Sequence, residues 1–484
     1  MDLASKHRLI TTEQMYAADQ QTIKAGTSEQ QLIVNAAMRV CEEIQARYDK
    51  CAVLVLAGPG NNGADGLKAA ELLTNEGWPV MIWSYAQNKK PPDLTNTGLI
   101  IDALFGAGLS KPLGADLQAL VAQINACSIP VISVDIPTGV DGNTGQICPT
   151  AINADTVVTF FRKKPGHVLY PGRAHCGDIV CRDINIASDT LNNFGAPILF
   201  ENDVLFENHP DLWHSDFPKR SVQSHKYKHG HVLVASGPMR TTGAARLAAR
   251  GALRVGAGLV SIAAPASALM VHTVHLTAIM LEKADSGADL AVLAEDSRKN
   301  VILVGPGLGL NERAKEMVAA ALSSKAALVL DADALTLYKE EPDILFRAIK
   351  ARKAPVILTP HGGEFSRLFS EHKADGSKID AARDAACISG AVIVYKGADT
   401  VIASPDGACF VNTNASAHLA TAGSGDVLAG IIAGLLAQNM KPLKAACAGV
   451  WLHGAAGHYL GPGLIAGDIP GALPKLLKQT FYVD

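Results

Sequence analysis

The nine cysteines of this chain include no CxxC pair. That leaves no zinc site or disulfide framework to expect and fits a reducing compartment. No charge of one sign dominates: 43 Lys and Arg stand against 46 Asp and Glu, a formal net charge of −3. Neither nucleic acid nor an acidic membrane surface is expected as a partner. Long hydrophobic runs are also missing. The longest, Val427 to Ala437, falls well short of the roughly 20 residues needed to span a bilayer. The opening MDLASKHRLI has no basic flank followed by a long apolar core, so no signal peptide is expected and the protein is placed in the cytoplasm. Neither a Walker lysine motif nor a kinase HRD signature is present.

What is present is an alternation. The chain of 484 residues is 48% hydrophobic, enough for a separate core in each half. Ser28 and Gln31 fit a capping box before an amphipathic helix over Leu32 to Ile44. Apolar strand-like runs follow at Ala52–Leu56, Val80–Trp83, Leu99–Ile101, Val131–Val134, Thr156–Phe160 and Gly177–Ile186. A second series runs through His231–Ala235, Leu259–Ala263, Val301–Val304, Ala327–Leu330, Pro355–Leu358 and Ala391–Tyr395. Helix-like segments separate most of them, which predicts two α/β domains with parallel sheets. Glu201 to Ser224 is polar, aromatic-dotted and aperiodic. It reads as a linker dispensable for either core, so that residues 225–484 are expected to fold alone. The domains are set at 1–212 and 213–484.

Two glycine-rich turns join a strand to a helix. Gly58-Pro59-Gly60-Asn61-Asn62-Gly63-Ala64-Asp65-Gly66 is one and Ala422-Gly423-Ser424-Gly425-Asp426 is the other. Such turns present backbone N–H groups to a phosphate, so two nucleotide-handling sites are expected. Gly58, Gly60 and Gly63 match the dinucleotide fingerprint by spacing. The second strand, however, ends Trp83-Ser84-Tyr85 without a carboxylate for a ribose. An ordinary NAD dehydrogenase is therefore disfavoured. Asp102 and Asp135 stand at the carboxyl ends of further strands, where open α/β sheets bind ligands. Each alone could simply cap a turn. Together with the Asn61–Asp65 turn they suit a hard cation, and Asp135 could also do acid–base work.

GPGNNGADG, DALFGAGL and DIPTGVDGNTG resemble the N-terminal YjeF domain, the epimerase of NAD(P)H hydrate. The match continues through Ala154 to Phe160 and Lys163 to Gly166. The resemblance implies a Rossmann-like three-layer domain. It implies substrate contacts at Asn61, Asn62, Gly63, Ala64, Asp65, Gly106, Ala107, Gly108, Leu109, Ser110, Lys111, Pro112 and Asp135. It further implies a potassium ion on Asn62, Asp102 and Thr138. Ala64 stands where that family usually has glycine, and Thr138 where it usually has serine.

In the second half, Gly425-Asp426 heads a helix and joins an anion hole to a carboxylate. Asp426 could be a helix cap or a base for a hydroxyl that attacks phosphorus. Gly430 and Gly434 recur along that helix, as expected where it packs closely on the sheet. Gly305-Pro306-Gly307, Thr359-Pro360-His361-Gly362-Gly363-Glu364 and Lys396-Gly397-Ala398-Asp399-Thr400 each follow a strand. This set resembles the C-terminal YjeF domain, a ribokinase-like α/β fold that dehydrates the S form of NAD(P)H hydrate. Gly362 replaces that family's usual proline. The resemblance implies a hydrate site at Ala244, Gly307, His361 and Asp426. It implies nucleotide-phosphate contacts at Lys396, Gly397, Ala398, Asp399, Thr400 and Gly425. A bifunctional repair enzyme is expected, with Asp135 and Asp426 catalytic and ADP as co-substrate with Mg2+. Its products would be AMP and phosphate, and a homo-oligomer is implied. A ribokinase-like small-molecule kinase fused to a non-catalytic Rossmann-like interaction module stays open as the alternative.

Overall fold

A computed structural model describes residues 3–88, 90–109, 111–188, 190, 204–370 and 376–481. The chain divides into two compact units, Met1–Pro197 and Ile198–Asp484.

The first unit is built on six strands: β1 (Val53–Ala57), β2 (Val80–Ser84), β3 (Leu99–Ala103), β4 (Val131–Val134), β5 (Thr156–Phe160) and β6 (Asp178–Arg182). Their order is β2-β1-β3-β4-β5-β6, and every pairing is parallel. The four inner strands are buried on both faces, which explains why they read as continuous apolar runs. Alternate residues serve two cores. Val53 and Val55 pack with Ala36, Val40, Ala69 and Leu73 of helices Glu29–Arg47 and Asn61–Asn75. Leu54 and Leu56 pack with Leu117, Leu120 and Ile124 of helix Ala115–Asn125. The result is the expected three-layer domain. Ser28 caps its helix through Gln31 N–H, but the Gln31 side chain bonds Asn35 instead of closing the capping box.

The sheet changes direction between β1 and β3, and the glycine turn after β1 lies at that switch point. A Cβ on Gly58 would lie 1.7 Å from the Leu104 carbonyl oxygen, and one on Gly63 would lie 1.8 Å from the Gly58 oxygen. Glycine is required at both by close approach.

The second unit holds β7 (Leu205–Glu207), β8 (His231–Ala235), β9 (Leu259–Ala264), β10 (Met280–Lys283), β11 (Val301–Val304), β12 (Ala327–Leu330), β13 (Val356–Leu358), β14 (Val392–Tyr395), β15 (Val401–Ala403) and β16 (Cys409–Val411). The order is β10-β9-β8-β11-β12-β13-β14-β15-β16-β7. Only the β14–β15 and β15–β16 pairings are antiparallel.

Two expectations are corrected here. The segment read as a dispensable linker is part of the second unit. β7 pairs with β16, and Trp213 and Phe217 belong to the hydrophobic core. The boundary drawn after residue 212 therefore separates β7 from the unit to which it belongs. Gly430 and Gly434 pack against another helix, not against the sheet. A Cβ on Gly430 would lie 2.0 Å from the Ala248 carbonyl oxygen, and one on Gly434 would lie 2.5 Å from that of Ala252. Helices Ser424–Ala437 and Thr242–Arg254 thus touch backbone to backbone. Among the described residues no helix is long and apolar enough to cross a membrane.

Candidate active sites

The first unit carries a cavity of about 530 Å³ at the sheet's switch point. Asn61, Asn62, Asp65, Gly106, Ala107, Gly108, Leu109 and Asp135 all line it. Gly63, Ala64, Lys111 and Pro112 do not, and Ser110 lies outside the described residues. Ala64 sits inside helix Asn61–Asn75, so its methyl group meets no demand for positive φ.

Asp135 follows β4 directly and has φ +65°, a strained value typical of functional positions. Its Oδ2 accepts from Ala107 N–H at 3.1 Å, and its Oδ1 accepts from Lys164 Nζ at 2.6 Å and Thr159 Oγ1 at 3.1 Å. Burial raises its pKa, but the Lys164 ammonium and the hydrogen bonds outweigh burial and bring it down to about 2. Asp135 is therefore a fixed carboxylate. His167 backs it. Its Nδ1 accepts from Lys164 N–H at 2.9 Å and its Nε2 donates to the Asp135 carbonyl at 2.7 Å. Burial and Lys164 push this histidine down to about 4, so it is the neutral Nε2–H tautomer.

Two further carboxyl groups share the cavity wall. Burial, offset in part by Lys164, lifts Asp19 to about 6. Burial, Asp135 and Asp19 together raise Asp65 well above the ordinary range. Asp19 and Lys164 were missed as site residues by the sequence reading. Lys163 to Gly166 stood out only as a motif, and Asp19 sits on helix Thr12–Lys24 with no strand-end signal.

Asp102 and Thr138 lie behind the cavity, both fully buried. Asp102 accepts from Thr138 Oγ1 at 2.6 Å, Ser133 Oγ at 2.8 Å and Thr138 N–H at 2.9 Å. Thr138 Oγ1 lies 3.3 Å from the Phe105 carbonyl oxygen. The Asn62 amide reaches the Val134 carbonyl at 3.0 Å and the Gly106 N–H at 3.3 Å, its nitrogen turned to the former. The Thr138 hydroxyl thus sits between the Asp102 carboxylate and the Phe105 backbone, whose N–H donates to it at 3.0 Å.

In the second unit a cavity of about 730 Å³ opens at the N-terminus of helix Ser424–Ala437. His361, Lys396, Gly397, Ala398, Thr400 and Gly425 line it. Asp399 belongs to the same turn, but its carboxylate pairs with Lys378 Nζ at 2.5 Å. Lys396 Nζ bonds Asp331 Oδ1 at 2.7 Å, lies 3.9 Å from Glu364 Oε2, and lies 3.6 Å from where a Gly425 Cβ would be. Thr359 Oγ1 also donates to Asp331, at 2.7 Å. His361 caps helix Gly362–Leu368, accepting at Nδ1 from Gly363 N–H at 3.0 Å, with Nε2 3.3 Å from Glu364.

Asp426 stands in the first turn of helix Ser424–Ala437. Burial and the Asp331 charge, offset by Lys396, push its carboxyl up to about 7. Ala244 and Gly307 meet each other beside Thr241, whose Oγ1 donates to the Gly307 carbonyl at 2.6 Å. Asp331 and Asp333 went unread in the sequence. The signal was available, because Asp331-Ala332-Asp333 follows β12 directly, as Asp135 follows β4.

The comparisons with known proteins agree with this division. Residues 232–466 match the family model described as NAD(P)H-hydrate dehydratase, and residues 29–97 and 84–166 match YjeF-related protein N-terminus. The chain is 33% identical to a bifunctional NAD(P)H-hydrate repair enzyme of Thermofilum pendens, over 94% of this chain and 93% of that protein. An ADP/ATP-dependent NAD(P)H-hydrate dehydratase from Bacillus subtilis, co-crystallised with ATP and Mg2+, superposes with TM-score 0.51 at 31% identity. It covers 57% of this chain and 98% of its own. A ribokinase-like superfamily protein from Enterococcus faecalis gives TM-score 0.50 at 27% identity, over 57% of this chain and 96% of its own.

Proposed function

The chain belongs to the family of bifunctional NAD(P)H-hydrate repair enzymes, and from that premise we propose how its two units divide the work. The first unit interconverts the R and S forms of NAD(P)H hydrate. The second removes the added water from the S form, using an adenine nucleotide. Similarity along both units leaves the alternative of a kinase fused to a non-catalytic module without support.

The observation that carries the dehydratase reading is Asp426, a carboxyl with its pKa near neutrality beside an ammonium and a helix N-terminus. A base of that pKa is matched to proton abstraction at neutral pH. Asp426 takes the proton of the C6 hydroxyl, whose oxygen attacks the terminal phosphorus of the nucleotide. Lys396, Gly425 and the turn from Gly397 to Thr400 hold the phosphates. The C6–O bond then breaks with phosphate as leaving group, the C5 proton is lost, and the ring double bond returns. With ADP the other product is AMP. Asp331, Asp333 and Glu364 are hard oxygen donors suited to Mg2+, which would offset phosphate charge when bound.

In the epimerase unit, Asp135 accepts a hydrogen bond from the C6 hydroxyl. Protonated Asp19 or Asp65 gives its proton to the hydroxyl oxygen as the C6–O bond breaks and water leaves. The ring nitrogen lone pair stabilises the cation at C6, and a water adds to the opposite face and returns a proton to the carboxylate. The oxygens of Asp102, Thr138 and Phe105 would suit a potassium ion in their donor chemistry, and the Asn62 amide oxygen, which faces Gly106 N–H, would have to turn to join them. Such an ion would fix the loops that carry Asp135 and Gly106.

Separated R and S NADH hydrates, each incubated with the protein and ADP or ATP, test this reading. S hydrate should yield NADH only with nucleotide, and R hydrate should follow faster than its spontaneous epimerisation. Replacing potassium by a bulky organic cation should slow use of R but not of S. Equal loss of both, or R consumed as a direct dehydratase substrate, would overturn the assignment.

A further inference from the structure

Helix Thr242–Arg254 carries Arg246, Arg250 and Arg254 and no acidic residue. Four-residue spacing stacks the three cations on one face, where like charges repel. Elsewhere the chain balances such positions: Arg39 pairs with Glu42, and Arg47 with Glu43. Here, among the described residues, the only side-chain hydrogen bond from the three is a long one, 3.4 Å from Arg246 to Thr242 Oγ1. The arginines line a groove of about 610 Å³ together with His275 and apolar side chains such as Leu247 and Leu253. No carboxylate stands among its described lining residues.

The groove adjoins the turn that leads to Asp426 and shares no lining residue with the cavity at Lys396. Gly243 and Leu247 line the groove, and Ala244 between them meets Gly307. A Cβ on Gly423, in the turn that leads to Asp426, would lie 2.5 Å from Leu247 Cδ1. From Ala244 to Arg254 the helix rises about 15 Å. That span suits an extended dinucleotide better than a mononucleotide. A cationic stripe bordered by apolar side chains suits phosphates attached to a base.

Building on the dehydratase reading, we propose that this groove receives the adenosine arm of the hydrated dinucleotide. Arg250 and Arg254 pair with the phosphate ester on its ribose when the substrate is the NADPH form. The nicotinamide end lies at Asp426, and the nucleotide co-substrate occupies the separate cavity at Lys396.

The test uses the full-length protein and its Arg250→Ala/Arg254→Ala variant, with adenosine 2′,5′-bisphosphate as probe. Titration calorimetry should show the probe bound by the wild type and weakened about tenfold or more in the variant. KM for S NADPH hydrate should rise similarly, KM for S NADH hydrate much less, and kcat and the KM for ADP should hold. An unchanged melting temperature excludes misfolding, and Arg250→Lys/Arg254→Lys should recover part of the affinity. A wild type that does not bind the probe overturns the proposal, as does a variant that binds it equally. So does a variant whose only change is its sedimentation, which would make the groove a contact between copies. If the wild type dehydrates neither hydrate, the dehydratase reading fails, while arginine-dependent binding of the probe still supports the groove.

Discussion

Asp135 and Asp426 follow the same rule of placement, a carboxylate just past a strand or at a helix head, yet their surroundings give them opposite chemistry. Lys164 keeps Asp135 ionised, whereas burial beside Asp331 brings Asp426 up to about 7. Asn at 426 keeps the shape but accepts no proton. Asp426→Asn should fold, bind ADP, keep epimerase activity and lose dehydration by about 10²–10⁴-fold. The wild-type rate should fall as pH drops through about 7, where Asp426 becomes protonated, and the variant should lack that limb. Rates on each separated epimer across pH decide it, and near-normal dehydration would reduce Asp426 to a cap.

Asp19 has the opposite linkage to a paired carboxylate. Its folded-state pKa is raised to about 6, so the folded protein holds the proton more tightly than the unfolded chain. The stability this confers is present below the ordinary Asp range and is lost as pH rises through 6. Asp19→Asn should therefore stabilise the first unit at pH 8, by on the order of 1 kcal/mol. It should leave stability near pH 3.5 unchanged and slow epimerisation. Thermal melts at the two pH values check the sign, and stabilisation confined to low pH would refute it.

At the scale of elements, the contact between helices Ser424–Ala437 and Thr242–Arg254 holds the Asp426 turn against the proposed hydrate site. Gly430→Val would drive a branched side chain into the Ala248 carbonyl, within 2.0 Å of the first added carbon. Overpacking of this kind costs about 1–3 kcal/mol or more. Dehydration and the thermal transition of the second unit should both suffer while epimerisation persists, and an unchanged melt would show that the helices part freely. The elements legible in the sequence share one physical cause. The inner strands of both sheets are buried on both faces, so they announce themselves as apolar runs. β7, β10, β15 and β16 did not: β10 is a polar edge strand, Met-Leu-Glu-Lys, and the other three are three residues each. Site residues divide in the same way. Strand-end loops exposed Asp135, Gly106 and Lys396 to inspection, whereas Asp19 joins the cavity only through tertiary packing of its helix.

At the scale of the molecule, the reading of two units with two sites was available from the paired strand series and paired glycine turns, but the seam was not. A short polar stretch gives no sign that its aromatics are core. Trp213 is fully buried and packs its ring against Phe217, Trp451 and Phe481. Its Nε1 donates to Asn208 Oδ1 at 3.1 Å, and the Asn208 amide donates in turn to Asn412 and to the Cys447 carbonyl. Removing a buried aromatic costs about 3–5 kcal/mol, and marginal domains have little more than that in reserve. A fragment starting at residue 204 should therefore fold and dehydrate S hydrate. One starting at 225 lacks β7, Asn208, Trp213 and Phe217 and should be insoluble or melt far lower. Trp213→Ala in the full chain separates core loss from truncation: it should lower the melting temperature of the second unit and spare epimerisation. If the 225–484 fragment melts with the longer one, the aromatic cluster is an accessory to this unit and not part of its core.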